Sequence, residues 1–401
     1  MLNVFLLVGL ILALGFSIGR VTHKIKITAI VGYIIAGIIL GPEVLDVPAV
    51  IGIGEEAFST IWDITTFAAL ALIGFVIGMH LTKRSLGKHT KFIMAAIIGE
   101  CLGAFLLVFL GVLIFTHDLP TALLLASLAP ASAPAGAVAT LHEYRAKGPL
   151  TNAIYAVVGW DDALAVIIFA ISLAFVGSML GGAASLSATL IPPLREVLGG
   201  MALGAGLGLV MVFLMRKIGE RDSIFITSLA IIFIGAGLAV SLEFSLILTC
   251  MIIGIFFVNF SHYDNRPRKF VEYIMPPIYI LFFTLAGMSL DFNLLLTMGL
   301  LGLVYILCRA VGLIGGTSLA TRAAGGPSIF QKYLGFGILS QAGVAIGLAA
   351  LAGSRIAALP GGPELASLAL TMIMATTIVF EIIGPIGVRF AIGKAGEIRK
   401  E

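Results

Sequence analysis

Five ionisable residues lie deep inside apolar runs of this 401-residue chain: Glu100, Asp161, Asp162, Arg309 and Glu381. Insertion scales put the cost of a charge at the centre of a membrane helix at about 2.5–3.5 kcal/mol, which makes such residues functional candidates by default. Asp161 and Asp162 are adjacent in "VVGWDDALAV" (157–166), twelve and thirteen residues into an apolar run that starts at 149. Neighbours on a helix point about 100° apart, so both carboxyl groups can face one cavity without stacking on each other. Two acids this close titrate as a coupled pair. Such a pair holds either protons or a hard monovalent cation bound through carboxylate oxygen, and the two compete.

Arg309, midway along "LLGLVYILCRAVGLIGG" (300–316), is the one deep basic residue and the expected charge partner of the pair. Its guanidinium does not deprotonate in proteins, so it can compensate a carboxylate or neutralise facing helix ends but is a poor proton carrier. One arginine against two aspartates leaves a carboxylate uncompensated, which favours a working site over a static ion pair. Glu100 is a second candidate partner for Arg309. Glu381, two turns before Arg389, reads as structural, and the six histidines fall in loops or near helix ends.

The elements that must position these groups are membrane helices. The chain is 60% hydrophobic and 11% charged, whereas soluble domains run at about a quarter charged. Apolar stretches of about 20 residues recur along its length, which defines an all-α polytopic protein of the lipid bilayer. The net charge is +3, and nothing in its distribution calls for a nucleic-acid partner. Cys101, Cys250 and Cys308 sit in apolar runs, against disulfides and against a thiolate metal site. No nucleophile–base set or metal spacing appears, so neither an enzyme nor a cofactor is expected. The first segment lacks a basic leader region and reads as a retained helix, not a cleaved signal. About thirteen helices are expected, near 2–20, 27–41, 63–81, 91–116, 119–143, 149–177, 190–215, 223–241, 243–260, 270–290, 294–320, 332–353 and 365–391.

With this count, 21 of the 24 lysines and arginines fall on one side. Only Arg195 and Arg355 fall on the other. The positive-inside rule then places the N-terminus outside and the C-terminus in the cytoplasm.

Two helices carry breaks. In "LLLASLAPASAPAGAVATL" (123–141), Pro130 and Pro134 bracket Ala131, Ser132 and Ala133. Proline removes an N–H donor and clashes with the preceding turn, so this stretch should be unwound. Non-helical backbone at membrane depth is tolerated only where it is buried in protein or lines a water-filled cavity. In "LGFGILSQAGVAIGLA" (334–349), Gly335, Gly337, Ser340, Gln341 and Gly343 occupy a corresponding depth. A Gly-rich packing face is the bland reading of the second stretch. The two helices are an odd number of crossings apart and so run in opposite directions, as expected of inverted repeats with a site between their broken helices.

Residues 129–170, "APASAPAGAVATLHEYRAKGPLTNAIYAVVGWDDALAVIIFA", closely resemble the monovalent cation–proton antiporters of the second cation–proton antiporter superfamily, the NapA and KefC relatives. "FTLAGMSLDF" at 283–292 adds to the likeness. The resemblance implies the NapA/NhaA-like antiporter fold, a single membrane transport domain over 1–401 and a homodimer in the inner (plasma) membrane. One bundle would form the dimer interface, and an ion-translocating core built around 119–143, 149–177, 294–320 and 332–353 would move like an elevator. No C-terminal nucleotide-binding regulatory domain is expected. Asp162 matches the ion- and proton-binding aspartate, and Asp161 the position that is Asp in electrogenic members and Asn or Gln in many electroneutral ones. Na⁺ would sit at Asp162, Asp161 and Ser132, with Pro130, Ala131, Pro134, Ser340 and Gln341 of the two breaks around it. The implied cargo is Na⁺ (or Li⁺, with K⁺ the runner-up) against H⁺, for pH homeostasis. Two departures stand out: Arg309 replaces a lysine common in electrogenic members, and "LSQAG" (339–343) replaces charged text common in sodium exchangers. A cation-coupled organic solute symporter is the alternative from another class. Its site would need polar and aromatic side chains that the deep segments scarcely offer.

Overall fold

The computed structural model describes residues 2–25, 28–42, 44–82, 89–181, 186–216, 221–261, 266–289 and 298–398, and among them every regular element is helical. The helices are α1 (Leu2–Lys24), α2 (Ala29–Leu40), α3 (Val47–Val50), α4 (Glu55–His80), α5 (Thr90–Thr116), α6 (Leu119–Leu128), α7 (Pro134–Glu143) and α8 (Pro149–Met179). They continue with α9 (Leu186–Met215), α10 (Arg221–Ser241), α11 (Leu246–Phe260), α12 (Arg266–Met288), α13 (Gly299–Ala323), α14 (Ser328–Tyr333), a 3₁₀ turn at Leu334–Ile338, α15 (Gly343–Ile356) and α16 (Gly362–Ala395). Nine of the described helices are long and apolar enough to cross a membrane. With the shorter α2 and α11 and the two broken helices they reproduce the thirteen expected segments. The segment expected at 63–81 starts earlier, at Glu55, and the four-residue α3 around Pro48 is additional. Ile27, Leu290–Phe292 of "FTLAGMSLDF", residues 294–297 and the basic residues Lys26, Lys83, Arg84, Lys88, Lys217, Arg399 and Lys400 lie outside the described residues.

The chain divides into two units. The first comprises 1–83, 138–144 and 197–291. One of its cores gathers Leu7, Ile11, Leu40, Ile280, Leu285 and Met288, with Trp62 stacked on Phe282 at 5.9 Å between ring centroids. α2 has no side-chain cap of its own. Glu143, at the end of α7, supplies one: its carboxylate accepts from the Ala29 N–H at 2.9 and 3.0 Å and meets His23 at 2.7 Å. A carboxylate on an otherwise unsatisfied N–H group is favoured by the positive end of the helix dipole.

The second unit comprises 84–137, 145–196 and 292–401. α5 and α13 approach closely because both present glycines at four-residue spacing, Gly99 and Gly103 against Gly312 and Gly316. A Cβ on Gly103 would lie 2.8 Å from the Gly316 Cα, and one on Gly312 would lie 2.7 Å from the Ala104 Cα. Small residues at this spacing let membrane helices approach backbone to backbone. α6 is started by Asp118, whose Oδ2 accepts from the Thr121 N–H at 3.0 Å, and by a proline in its first turn. It ends at Leu128, and residues 129–133 are non-helical up to Pro134, where α7 starts. Residues 339–342, between the 3₁₀ turn and α15, are likewise non-helical. Both expected breaks are present.

Candidate functional site

The second unit gathers all the deep ionisable residues. α8 is one uninterrupted 31-residue helix that places Asp161 fully out of solvent and leaves Asp162 half-buried. The two carboxylates have different company. Asp161 Oδ2 accepts from the Ser132 hydroxyl in the first break, and its Oδ1 accepts from the Asp162 N–H at 2.8 Å. Asp162 Oδ1 is buried with no hydrogen-bond partner. Glu100 on α5 lies beside them. Its Oε1 accepts from the Cys101 thiol at 3.2 Å, the same thiol lies 4.0 Å from the Asp161 carbonyl, and Glu100 Oε2 has no partner. Unsatisfied acceptors this deep are costly unless a proton or a cation answers them.

The two breaks meet. The Ala133 N–H donates to the Ser340 carbonyl at 3.0 Å. Arg309, fully buried on α13, is where they are joined most firmly. Its Nε donates to the Ala129 carbonyl at 2.8 Å, Nη1 to Leu339 at 2.8 Å, and Nη2 to Ala131 at 3.0 Å and Ser340 at 3.4 Å. Ala129 and Leu339 close the C-terminal ends of α6 and of the 3₁₀ turn. Such ends carry unpaired carbonyls and partial negative charge, and one planar fork of donors satisfies both. The Phe380 ring lies against the guanidinium at 4.3 Å.

The direct ion pair that the sequence leads one to expect for Arg309, with the aspartates or with Glu100, is not formed: all the hydrogen bonds its guanidinium makes go to backbone carbonyls. Arg309 instead neutralises the facing helix ends, the other role open to it, by donating to carbonyls of both breaks. Gln341 is also engaged elsewhere. Its Nε2 donates to the Tyr305 hydroxyl at 3.0 Å, with the Leu128 carbonyl at 3.5 Å, while its Oε1 accepts from Thr376 at 3.5 Å. It braces the second break and turns no free amide group towards the aspartates. The carbonyls of Ala131 and Ser340 face Arg309, whereas the Ser340 hydroxyl is buried and unpartnered. Pro130 and Pro134 bound the first break. Glu381 on α16 is buried with an unpartnered Oε2.

Tyr305, Thr376, Phe380 and Cys101 are the site residues that sequence reasoning misses. Tyr305 had a signal, since it stands one turn before Arg309 on the same face of α13. Thr376 and Phe380 are separated from the site by a break, and no local pattern points to them.

A family model described as sodium/hydrogen exchanger, transmembrane, matches residues 9–388. The Na⁺/H⁺ antiporter NhaP of Pseudomonas aeruginosa is 32% identical over 175 residues, which are 42% of this chain and 41% of that protein. The match therefore spans less than half of that relative's length. The ammonium/H⁺ antiporter subunit AmhT of Alkalihalophilus pseudofirmus is 24% identical over 297 residues, 71% of this chain and 70% of its own. Among solved structures, the sodium proton antiporter MjNhaP1 of Methanocaldococcus jannaschii superposes with a TM-score of 0.74 over the whole of both chains at 17% identity. Its structure at pH 8 gives 0.66 over 99% of this chain and 98% of that one, at 20% identity. At these identities the structural likeness speaks for the fold. The resemblance to monovalent cation–proton antiporters holds.

Proposed function

Because the chain belongs to the sodium/hydrogen exchanger family, we propose that it is a secondary antiporter that exchanges cytoplasmic Na⁺ or Li⁺ for external H⁺ by alternating access. The observation that carries this reading is the buried carboxylate pair with one oxygen unanswered, set against broken backbone whose negative ends Arg309 already holds. With the helix ends neutralised, the acceptors left for a cation include the aspartate oxygens, the Ser132 hydroxyl and the unpartnered Ser340 hydroxyl.

In the inward-facing state the deprotonated pair binds a partly dehydrated cation, Asp162 through its free oxygen and Asp161 from its seat on Ser132. The unit bearing α8 then moves, the cation leaves outside, and protons take its place for the return. Occupancy by either cargo lowers the charge that crosses the apolar barrier. Arg309 stays protonated throughout, so the protons carried are those of the carboxylates. The first unit serves as the dimerisation bundle of a homodimer in the plasma membrane, with the N-terminus outside and the C-terminus in the cytoplasm.

The runner-up cargo is K⁺ or ammonium, the latter favoured by the longer match to an ammonium/H⁺ antiporter subunit. The test is collapse of a pH gradient in proteoliposomes by NaCl, LiCl, KCl and NH₄Cl, wild type beside Asp162→Asn. Na⁺ and Li⁺ should dequench the dye with the wild type and fail with the variant. Full activity of Asp162→Asn overturns the site, and a response to K⁺ or NH₄⁺ alone transfers the assignment to that cation.

A further inference from the structure

The helix that carries Asp161 and Asp162 begins without a cap of its own. Gly148 stands at its N-cap with no side chain to offer, and Pro149 follows. The N–H groups of Leu150 and Thr151 would then be left unpaired at the helix end. They are taken by one residue, 247 and 246 positions further along the chain. Leu150 N–H donates to Glu397 Oε1 at 2.8 Å, and Thr151 donates to Oε2 from its N–H at 2.7 Å and from its hydroxyl at 2.6 Å. The Lys147 N–H adds a bond to the Glu397 carbonyl at 3.0 Å. Glu397 is 7% exposed.

Local chemistry delivers this carboxylate. α16 ends in Gly396 at a left-handed φ of 69°, and the Glu397 N–H returns to the Ile392 carbonyl at 3.0 Å. That bond is the six-to-one closure of a Schellman end, and glycine adopts the required φ without strain. A Cβ at Gly148 would run into the Glu397 carboxyl group, so a larger residue there would push this carboxylate aside. α16 therefore meets the site twice, through Phe380 on the Arg309 guanidinium and through Glu397 at the start of α8. Asp161 stands about 18 Å along α8 from that start, at 1.5 Å per residue. At that range the coupling runs through the rigid helix, not through direct charge–charge contact.

We propose that Glu397 is a positioning residue for transport: by clamping the first turn of α8 it sets where Asp161 and Asp162 stand against the two breaks. The proposal rests on the antiport reading for its kinetic consequence and on the hydrogen bonds alone for its structural one. Losing a side-chain cap lets α8 shift or fray, and a binding-competent position populated only in part weakens apparent affinity in proportion.

The test uses the full chain, purified and reconstituted, as wild type, Glu397→Ala, Glu397→Asp and Thr151→Val. Hydrogen–deuterium exchange is followed in peptides covering 148–163, with the apparent KM for Na⁺ and the maximal rate measured in parallel. In Glu397→Ala, exchange should quicken through 148–163 and the apparent KM should rise by up to about tenfold, a cap's usual worth, with the maximal rate changed far less. Glu397→Asp should recover part of both, and Thr151→Val, which removes one of the four bonds, should fall between. If Glu397→Ala reaches the membrane too poorly to study, Thr151→Val carries the same comparison with a smaller shift. An unchanged KM beside a merely lowered melting temperature overturns the proposal. If no cation drives exchange in the wild type, the antiport reading falls, and the exchange data still decide the clamp: unaltered protection at 148–163 in the variants overturns it.

Discussion

Ser132 gives its hydroxyl to Asp161 and not to Asp162. The adjacent aspartates are thus unequal: Asp161 is anchored to the first break, while Asp162 keeps a buried oxygen free. A hydrogen bond to a charged group contributes about 1.5–3 kcal/mol. Ser132→Ala should therefore weaken apparent Na⁺ affinity by about ten- to a hundredfold, since 1.4 kcal/mol is tenfold, while Ser132→Thr retains most of it. Half-maximal dequenching concentrations measure this. An unaltered value in Ser132→Ala would mean that the bond only supports the fold.

The same inequality predicts different losses at the two acids. Asp162→Asn should abolish exchange, whereas Asp161→Asn should leave a slower exchange that moves fewer protons per cation. Each net charge moved is worth about 2.3 kcal/mol per 100 mV. With the membrane potential clamped, wild-type exchange should respond to voltage and Asp161→Asn should respond less. Equal voltage dependence in the two proteins would remove Asp161 from the proton count.

Much of this site is legible in the amino-acid sequence because its cues are local. Pro130 and Pro134 bracket the first break, where a missing N–H and a ring clash disfavour continuous helix, and Gly335 and Gly337 weaken helix propensity beside the second. An adjacent aspartate pair in an apolar run is conspicuous for the same reason. What escapes such reading depends on shapes that exist only after folding. Arg309 invites pairing with the nearest acid, but it serves carbonyls that become orphans only once both helices break. Gln341 reads as a ligand until Tyr305 and Thr376 take its two ends. The start of α8 did carry a cue: "KGPLT" (147–151) offers no Ser, Thr, Asp or Asn at the cap position, so a cap must come from elsewhere. Nothing in that stretch says that it comes from Glu397. The glycines at 99, 103, 312 and 316 show the spacing of close helix contact, yet the spacing alone does not pair α5 with α13.

Arg309 is the brace whose removal should be felt most widely. Its fork reaches four carbonyls of two separate breaks, and each buried acceptor left unpaired costs about 1–3 kcal/mol. Arg309→Ala should lower the melting temperature in detergent sharply and stop exchange. Arg309→Lys keeps the charge but loses the planar fork, and it should restore part of the stability with a smaller share of the activity. Recovery of full stability by lysine would show that charge alone holds the breaks.

Two adjacent glycines on α13 separate packing from helix propensity. A Cβ on Gly315 meets nothing within 4 Å, whereas one on Gly316 would stand 3.0 Å from the Gly103 Cα, with the Gly99 backbone closer still. Alanine gains about 0.8–1.0 kcal/mol over glycine in a helix interior, so Gly315→Ala should leave the protein as stable or more so. At 316 the atoms in the way belong to the α5 backbone and cannot swing aside as a side chain would. The helices must part, at an overpacking cost of about 1–3 kcal/mol that exceeds the propensity gain over most of its range. Gly316 also lies two turns beyond Arg309 on the same helix, so the displacement carries the guanidinium away from its carbonyls. Thermal melts of the two variants in one detergent should move in opposite directions, with Gly316→Ala alone losing exchange activity. Equal shifts for both would mean that the contact between α5 and α13 yields more easily than its backbone spacing implies.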